Sequence, residues 1–229
     1  MARNYTVKKG DTLAKIAQAK MGSRRQAATL ADYNALRTKK LTVGSRIFIP
    51  SAADLKPRAF ARPRAAAWPP PPAGLQGVIG AFGNIYDFIR DDGTVDPRWE
   101  AQNIVRVALP FAIPLDWDPT KSASGIRCHR LLAPLFTEVF QRIVDTGLKA
   151  SVKTYGGCYQ FRAKRNGSKP STHSWGIAID FNVSTNAMGT PGDMDLRLVA
   201  LIEGIGFVWG GRWSGTGKDP MHFQYCSAY

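Results

Sequence analysis

Apolar and polar positions in the first 50 residues of the chain change their spacing along the sequence. Residues 5–7 alternate as in a β-strand, and the apolar residues of segment 13–17 then recur at the spacing of an α-helix. A second helix is predicted over residues 26–33, and segment 46–50 has the composition of a strand that ends at a proline. The pattern therefore predicts a small βααβ module over residues 1–50.

The composition changes after this module to alanine, proline and arginine, and segment 51–76 includes consecutive prolines over residues 69–72. Such a sequence cannot continue a helix and favours extended polyproline geometry, so it predicts a semi-rigid linker. Residues 77–229 then mix helical and strand-like patterns. The predicted fold class is α+β: a βααβ module, a proline-rich linker and a larger α+β domain with an antiparallel sheet.

The clearest amphipathic helix of the larger domain is predicted over residues 131–143. Its apolar side would consist of Leu131, Leu132, Leu135, Phe136, Val139, Phe140 and Ile143. A second pattern, over residues 176–182, alternates with a period of two and predicts a strand. It places Asp180 on the opposite side from Ile179, and we expect this carboxylate to face a cleft or solvent.

The formal net charge of +14 is concentrated near the N-terminus, where residues 1–50 hold 11 Lys/Arg against 2 Asp/Glu. Such a charge favours polyanionic partners, which include nucleic acid, anionic lipid headgroups and the anionic polymers of a bacterial envelope. Charge alone does not distinguish among these partners. The chain shows no basic strip interleaved with base-stacking aromatic residues, and this disfavours nucleic acid.

Three cysteines, Cys128, Cys158 and Cys226, are expected to be reduced and partly buried, because a chain of 229 residues does not need disulfide bonds. No run of about 18 apolar residues occurs, so no membrane-embedded segment is predicted. The first residues lack the apolar stretch of a secretory signal peptide. We therefore expect synthesis in the cytoplasm, and another agent would have to bring the protein to any site outside it.

Only three histidines occur in the chain, and two of them, His173 and His222, lie close in sequence to aspartates. Catalytic zinc sites commonly use three protein ligands, drawn from His nitrogen and carboxylate oxygen, and leave a fourth position for water. His173, Asp180 and His222 provide such a set. Zinc lowers the pKa of water to near 7, and a nearby carboxylate can then take the proton during attack on a carbonyl carbon. Asp219 is the candidate for that role.

Two segments of the N-terminal module carry a specific motif. They are Tyr5-Thr-Val-Lys-Lys-Gly10-Asp11-Thr12-Leu13 and Leu41-Thr-Val-Gly44-Ser-Arg-Ile47-Phe-Ile-Pro50. With them, residues 4–50 resemble the LysM domain, which binds glycans containing N-acetylglucosamine, such as peptidoglycan and chitin. The resemblance implies a sugar-binding site that includes Gly10, Asp11, Thr12, Leu13 and Asn34. An alternative is that Asp11 and Thr12 only cap the first helix.

A second motif reads Ser171-x-His173-x-x-Gly176-x-Ala178-x-Asp180, and an acidic residue precedes His222 by three positions. On this motif, residues 80–226 resemble the M15 family of metallopeptidases. The family includes D-alanyl-D-alanine carboxypeptidases, dipeptidases and phage L-alanyl-D-glutamate endopeptidases. The resemblance implies that His173, Asp180 and His222 bind one zinc ion. It also implies that Asp219 stands where many members have Glu, which matches the endopeptidase branch.

The same family places an arginine upstream of the first zinc ligand. A guanidinium group there can stabilise the negative charge that develops on the carbonyl oxygen. Arg162 is the best match to this position, and Arg165 is a weaker one. Gln160, Ser171 and Trp213 are assigned to substrate contact, with Trp213 as a wall of the cleft.

The two resemblances imply an endolysin-like peptidoglycan hydrolase that cuts the L-Ala–D-Glu bond of the stem peptide while its LysM module holds glycan strands. Anionic wall polymers would be further partners, and we expect a monomer that is encoded by a phage or prophage. One alternative is a D-alanyl-D-alanine carboxypeptidase. Another is a non-catalytic wall-binding or virion structural protein. A further alternative is a cysteine peptidase in which Cys158 acts with His222.

Overall fold

The structure is a computed structural model, and it describes residues 3–34, 36, 41–51, 68–164 and 167–229. Residues 52–67, the first part of the predicted linker, lie outside the described residues. The chain divides into two compact units, Met1–Arg62 and Pro63–Tyr229, and each unit has a hydrophobic core of its own. Helices and strands are both present, so the predicted α+β class is confirmed.

The first unit is a two-stranded antiparallel sheet with two helices. Strand β1 (Arg3–Thr6) pairs with β2 (Arg46–Ile49), and helices α1 (Leu13–Met21) and α2 (Ala27–Tyr33) lie between them in sequence. A single 3-10 turn, Arg24–Gln26, precedes α2. This order confirms the predicted βααβ module, and α2 begins one residue later than the sequence suggested.

A polar cap at one end and a glycine at the other define helix α1. The Thr12 hydroxyl accepts a hydrogen bond from the Lys15 amide over 3.2 Å, which caps the first turn. Gly22 ends the helix with a φ of +84°, a left-handed conformation that glycine adopts without steric cost. Seven buried apolar residues form the core of this unit: Val7, Leu13, Ile16, Ala17, Leu30, Ile47 and Ile49.

The second unit contains the remaining described helices and strands. Its helices are α3 (Gly74–Phe82), α4 (Pro97–Asn103), α5 (Ala133–Asp145) and α6 (Leu196–Glu203). Its strands are β3 (Ile104–Leu115), β4 (Asp118–His129), β5 (Tyr155–Gly157), β6 (Ala178–Phe181), β7 (Val208–Trp209) and β8 (His222–Gln224). In the described part of the chain, no helix has the length and apolar composition that a membrane span requires.

The six strands of the second unit form one sheet in the order β4-β3-β5-β6-β8-β7. Neighbouring strands are antiparallel, except that β3 and β5 run parallel and meet at Leu115 and Tyr155. The sheet predicted as antiparallel is therefore mixed at this one pair. Strand β6 lies between β5 and β8, and this position sets Asp180 opposite Gly157 on one side and His222 on the other.

Helix α5 packs on the sheet with the apolar side that the sequence predicted. Its buried residues are Leu135, Phe136, Val139, Phe140 and Ile143. Phe140 makes edge-on contacts with Phe111 of β3 and Phe181 of β6. The helix begins two residues later than predicted, because Arg130–Leu132 forms a 3-10 turn that leads into it. These ring contacts hold β6, the strand that carries Asp180, against the core.

The C-terminal part of the predicted linker packs as part of the second unit and is not a free spacer. The Ser227 amide donates a hydrogen bond to the Pro72 carbonyl over 2.9 Å, and the Tyr225 hydroxyl donates to the Pro69 carbonyl over 3.1 Å. An extended proline segment has no internal hydrogen bonds, so its carbonyl groups need such partners. The sequence-based boundary at residue 76 is therefore corrected, because packing begins no later than Pro69.

Candidate metal centre

A short 3-10 turn, Thr172–Trp175, presents the first histidine of the site, His173. Ser171 precedes the turn, and its hydroxyl accepts a hydrogen bond from the His173 amide over 3.4 Å. Gly176 ends the turn with a φ of +67°, and a Cβ added there would lie 2.7 Å from the His129 amide nitrogen. The turn therefore requires glycine at this position, which explains the Ser-x-His-x-x-Gly part of the motif.

Three donor atoms, one each from His173, Asp180 and His222, meet at the sheet and can hold a metal ion. The Nε2 atom of His173 is 3.2 Å from Asp180 Oδ1 and 3.1 Å from His222 Nδ1. Asp180 Oδ1 and His222 Nδ1 are 2.9 Å apart. All three side chains are buried. These are the residues that the sequence predicted as ligands, and they come from three separate segments of the chain.

Each of these histidines uses its second ring nitrogen for a hydrogen bond to an oxygen outside the cluster. His173 Nδ1 is 2.6 Å from the Cys158 carbonyl oxygen, and His222 Nε2 is 3.1 Å from Gln224 Oε1. Because carbonyl oxygens only accept hydrogen bonds, these outer nitrogens carry protons, and the inner nitrogens can offer lone pairs. Such outer hydrogen bonds orient the histidine ligands in metal sites.

The charges of the cluster favour a bound cation. Burial by itself would raise the pKa of Asp180, but the charges and hydrogen bonds of His173 and His222 hold that pKa well below its usual range. Burial would lower the pKa of His222, but the hydrogen bond and charge of Asp180, together with the charge of Asp219, raise it. The carboxylate of Asp180 is therefore ionised and attracts either a proton on His222 or a metal ion.

Asp180 faces a cleft and not solvent, the two alternatives that the sequence left open. All residues of β6 are buried, because α5 packs on this strand and the turn that carries His173 also contacts it. The alternation of the strand still decides which way each side chain points. Ile179 and Phe181 lie in the hydrophobic core, whereas Asp180 lines the cavities beside the metal cluster.

Two cavities lie beside the three donor atoms and share Arg162, Asp180 and Met221. The first, called here the Trp213 cavity, is also lined by Lys164, Ser171, Thr172, Met188, Trp213, Gly217, Asp219, His222, Gln224 and Tyr229. The second, called here the Gln160 cavity, is also lined by Gly156, Gly157, Gln160, Ala163, His173 and Val183. This arrangement suits a reaction on a bond that carries groups on both sides.

Asp219 lies in the turn that leads into β8. The His222 amide donates to the Asp219 carbonyl over 3.1 Å, and the Asp219 amide donates to the Gly210 carbonyl over 3.0 Å. A Cβ added at Gly210 would lie 2.5 Å from the Asp219 carbonyl oxygen, so the glycine allows this close approach. The Trp209 indole donates to the Pro220 carbonyl over 2.7 Å. These contacts hold Asp219 at the wall of the same cavity as His222.

Arg162 lines both cavities, and its backbone is fixed to the turn that carries His173. The Arg162 carbonyl accepts hydrogen bonds from the Ser171 amide over 2.8 Å and from the Ser174 hydroxyl over 2.9 Å. The Arg162 amide donates to the same Ser174 hydroxyl over 3.1 Å. The Arg162 backbone is thus fixed to this turn, and its guanidinium donates to the Ala163 carbonyl over 3.3 Å. Arg165, the weaker candidate, lies outside the described residues.

The predicted substrate contacts divide between the two cavities. Trp213 lines the first cavity, with its ring centre 5.7 Å from that of His222, whereas Trp209 is buried and stacks on Phe223. Ser171 also lines the first cavity, although only 6% of it is exposed. Gln160 is exposed at the second cavity, and its backbone amide donates to the His173 carbonyl over 3.1 Å.

Cys158 is not an activated nucleophile. Its thiol is buried, and burial raises the pKa of this thiol well above its usual value. The thiol donates to the Gly176 carbonyl over 3.9 Å, and its burial and raised pKa disfavour the cysteine-peptidase alternative. The backbone carbonyl of Cys158 instead holds His173. All three cysteines are free, as the sequence predicted, and they are fully buried where only partial burial was expected.

The residues predicted to bind glycan in the first unit do not share one environment. Gly10 and Thr12 are exposed, and Asp11 is half-buried, where it accepts hydrogen bonds from the Tyr5 hydroxyl and the Lys8 amide. Two assignments are corrected. The Leu13 side chain lies in the core with 4% exposed, and Asn34 is 6% exposed.

The side-chain amide of Asn34 makes three hydrogen bonds inside the module. Its nitrogen donates to the carbonyls of Leu30 and Phe48, and its oxygen accepts from the Phe48 amide over 2.7 Å. This side chain therefore ties the end of α2 to β2, and both N–H groups of its amide are used inside the module. Gly10, Asp11 and Thr12 remain the candidates for glycan contact.

Two residues that the sequence did not predict, Gln224 and Thr172, approach His222. Gln224 Oε1 is 3.1 Å and Thr172 Oγ1 is 3.3 Å from His222 Nε2. The signal for Gln224 was its position two residues after His222 on a strand, which puts both side chains on one face. No comparable signal marked Thr172, because its approach depends on how the turn packs against β8.

Two family models match the chain. The LysM domain model matches residues 5–50, and a model described as D-alanyl-D-alanine carboxypeptidase, of the M15 peptidases, matches residues 165–225. No curated protein and no solved structure matches the chain. The second match contains the three donor residues and Asp219. The chain therefore contains a LysM domain over residues 5–50 and an M15-like segment over residues 165–225, and this combination supports a peptidoglycan-acting hydrolase with a wall-binding module.

Proposed function

We propose that this protein hydrolyses an amide bond in the stem peptide of peptidoglycan, with the L-Ala–D-Glu bond favoured, at a zinc ion held by His173, Asp180 and His222. The observation that carries the proposal is the buried cluster of three donor atoms, with Asp219 on the wall of the adjoining cavity. The site of action would be the bacterial cell wall, where the LysM unit holds glycan strands.

The donor geometry supports zinc as the metal. A tetrahedral ion with bonds of about 2.0 to 2.1 Å sets its ligand atoms about 3.3 Å apart. The three donor atoms here are separated by 3.2, 3.1 and 2.9 Å, so a small outward shift would accommodate the ion. Two imidazoles and one carboxylate are also a common ligand set for catalytic zinc, and both imidazoles have the outer hydrogen bonds typical of such ligands.

The surrounding residues can then divide the chemistry of amide hydrolysis. When bound, zinc supplies Lewis-acid polarisation of a carbonyl group and makes water more acidic. The Asp219 carboxylate accepts a proton from the attacking water and passes it to the leaving amine. The Arg162 guanidinium holds the carbonyl oxygen as negative charge develops on it, and its rigid backbone favours this role.

Two observations bear on which bond is cut. An aspartate at position 219, where many M15 members have glutamate, favours the endopeptidase. The matching model is described as D-alanyl-D-alanine carboxypeptidase, which keeps removal of the terminal D-Ala as the second candidate. Both candidates use the same residues, so the products decide between them. An endopeptidase with this domain arrangement would fit an endolysin-like protein from a phage or prophage.

The test is mass spectrometry of defined muropeptides after incubation with the zinc-loaded protein, with the chelated protein, and with the chelated protein after zinc is added back. His173→Ala serves as the variant that lacks one ligand. His129→Asn is a control for loss of a histidine, because His129 is buried away from the two cavities and bonds to the Phe82 carbonyl. Folding of both variants is checked by circular dichroism.

We expect a new product with an N-terminal D-Glu, which depends on zinc and on His173 but persists in His129→Asn. Loss of one terminal D-Ala under the same conditions would instead identify the carboxypeptidase. No cleavage by a folded, zinc-loaded protein that still binds cell walls would contradict the enzymatic proposal. That result would favour the non-catalytic wall-binding or virion structural protein.

A further inference from the structure

Lys164 brings a fixed positive charge into the Trp213 cavity. Its Nζ atom lies 3.6 Å from the centre of the Tyr229 ring, within the range of a cation–π contact. The ring is itself held in place, because the Tyr229 hydroxyl donates to the Pro170 carbonyl over 2.6 Å and the ring packs edge-on against Trp175. The lysine side chain is therefore held toward the cavity and does not extend freely into solvent.

The backbone of Lys164 and Ala163 is also held by pairing with Lys169 and Pro170. The Lys164 amide donates to the Lys169 carbonyl over 2.9 Å, and a β-bridge joins Ala163 to Pro170. The side chain is half-buried, and this burial lowers the pKa of Lys164, with a smaller contribution from the charge of Lys169. Among the described residues, no carboxylate forms an ion pair with Lys164. A partly dehydrated ammonium group of this kind favours an anionic ligand.

A lysine that lines only one of them distinguishes the two cavities. Arg162 borders both, whereas Lys164 lines the Trp213 cavity and is absent from the lining of the Gln160 cavity. Asp219 adds a negative charge to the Trp213 cavity, so the two cavities do not differ in summed formal charge. The position of the Lys164 ammonium therefore decides where an anionic group of the substrate would lie. Asp219 lines this cavity too, and it is the proposed proton donor to the leaving amine. The anionic group should thus belong to the residue whose nitrogen leaves.

In both candidate bonds of the stem peptide, the residue whose nitrogen leaves carries a carboxylate. In the L-Ala–D-Glu bond, the peptide continues through the γ-carboxyl of D-Glu, so the α-carbon next to the leaving nitrogen keeps a free carboxylate. In the terminal D-Ala–D-Ala bond, the α-carbon next to the leaving nitrogen carries the C-terminal carboxylate. The shared chemistry is a carboxylate on the carbon bonded to the leaving nitrogen.

We infer that Lys164, seated on Tyr229, binds this α-carboxylate and makes the protein select an acid over the corresponding amide at the leaving residue. The inference rests on the proposed function, and it adds a specificity-determining residue to it. Hydrogen bonds to a charged group contribute enough to a buried contact for a preference of roughly 10- to 100-fold in kcat/KM.

The experiment compares two matched pairs of substrates. One pair is a muropeptide with D-Glu or with D-isoglutamine at its second position, and the other is a pentapeptide that ends in D-Ala or in D-alaninamide. The zinc-loaded native protein is compared with Lys164→Met and with Lys169→Met. Lys169 is the matched control, because it is exposed in the same loop and lines neither cavity.

We expect the native protein and Lys169→Met to prefer the acid by roughly 10- to 100-fold in the pair that contains the cleaved bond. Lys164→Met should lose this preference because its kcat/KM for the acid falls. The acid and the amide of the pair should then be cleaved with similar kcat/KM. Calorimetry measures binding of the product to the chelated proteins. The product is the peptide with an N-terminal D-Glu, or D-Ala if the pentapeptide is the substrate that is cleaved. It should bind more weakly to Lys164→Met than to the native protein.

The outcomes separate this inference from the proposed function. If the native protein cleaves acid and amide equally well, or if Lys164→Met retains the preference, the inference is wrong while the hydrolase proposal stands. If no substrate is cleaved by the zinc-loaded native protein, the proposed function fails and takes this inference with it. The pair that is cleaved identifies the source of the carboxylate.

Discussion

Gln224 is a single residue on which the orientation of a proposed zinc ligand depends. Its side-chain oxygen accepts a hydrogen bond from His222 Nε2 over 3.1 Å, and its amide donates to the Cys226 carbonyl over 3.2 Å. Loss of such an outer partner typically weakens metal binding by about 10- to 100-fold. We expect this loss of zinc affinity in Gln224→Leu, measured by competition with a chromogenic chelator.

Gln224→Glu is the matched variant, because it retains an oxygen acceptor at nearly the same position. We expect it to bind zinc more tightly than Gln224→Leu. If the leucine variant is folded and binds zinc as tightly as the native protein, Gln224 does not position His222.

Asp219 provides a second test at the residue scale. The proposed proton transfer needs its carboxylate, whereas the three zinc ligands lie on other residues. General acid–base groups typically contribute about 10²- to 10⁴-fold to the rate, so we expect kcat of Asp219→Asn to fall within that range. Zinc content, measured by atomic absorption, should stay at one ion per chain.

Asp91→Asn is the control for this substitution, because Asp91 is exposed in the same unit and lines neither cavity. Its kcat should match that of the native protein. Native kcat in Asp219→Asn would rule out the proposed proton transfer, and loss of zinc would assign Asp219 to metal binding instead.

Among the secondary-structure elements, α6 has the clearest link between charge and stability. Asp195 caps this helix by accepting a hydrogen bond from the Arg197 amide over 2.9 Å, and it also accepts from the Ser151 hydroxyl over 2.6 Å. Burial would raise the pKa of Asp195, but the hydrogen bonds of Arg197 and Ser151 and the charge of Arg197 lower it. The folded state therefore binds a proton at Asp195 less readily than the unfolded chain does.

We expect Asp195→Ala to lower the free energy of unfolding of the second unit by about 1 to 2 kcal/mol at neutral pH. The Asp195 contribution is present above the unfolded pKa of about 4 and is lost as the pH falls through the lower folded value. The difference between native and variant protein should therefore shrink in acid. Urea unfolding followed by tryptophan fluorescence reports this unit, because all six tryptophans lie in it.

Asp145→Ala is a suitable comparison, since Asp145 is an exposed carboxylate at the end of α5 and not at its beginning. We expect little loss of stability from it at either pH. A loss in Asp195→Ala that stays constant from neutral pH into acid would show that the ionised carboxylate is not its cause.

For the whole molecule, the presence of two units with separate cores predicts that their roles can be separated. Deletion of the first unit should leave cleavage of soluble muropeptides unchanged. It should slow the digestion of purified cell walls at least about 10-fold, because the wall no longer raises the local enzyme concentration. Product release and sedimentation with walls measure the two effects.

A chain with Asp11→Ala and Thr12→Ala tests the exposed loop of the first unit without deleting it. Reduced sedimentation with walls, at unchanged muropeptide cleavage, would support glycan contact there. If full deletion leaves wall digestion intact, the first unit does not direct the protein to its substrate.

Metal removal is the second prediction for the whole molecule. A ligand that binds only the folded state stabilises it by about 2.7 kcal/mol when its free concentration is 100 times Kd. Zinc should therefore raise the thermal midpoint of the chelated second unit, and His173→Ala should lose this response. Scanning calorimetry with and without zinc measures it, and an equal response in His173→Ala would contradict the proposed ligand set.

Much of the architecture could be predicted because local patterns are strong there. The βααβ order of the first unit follows from short segments with clear periodicity, and the apolar side of α5 follows from its spacing. The long hairpin of β3 and β4 was not predicted. Pro110, Pro114 and Pro119 interrupt its alternation, and its pairing shifts register between Ala108 and Ile113.

The sequence by itself determined the identity of the donor residues, because two of three histidines stand in specific motifs beside aspartates. It also determined the turn around His173, since a serine cap and a glycine with positive φ are local requirements. Only the tertiary structure decided what surrounds the donors. Cys158, Gln224 and Lys164 reach the site through strand pairing and loop packing, and such contacts between distant segments leave no period in the sequence.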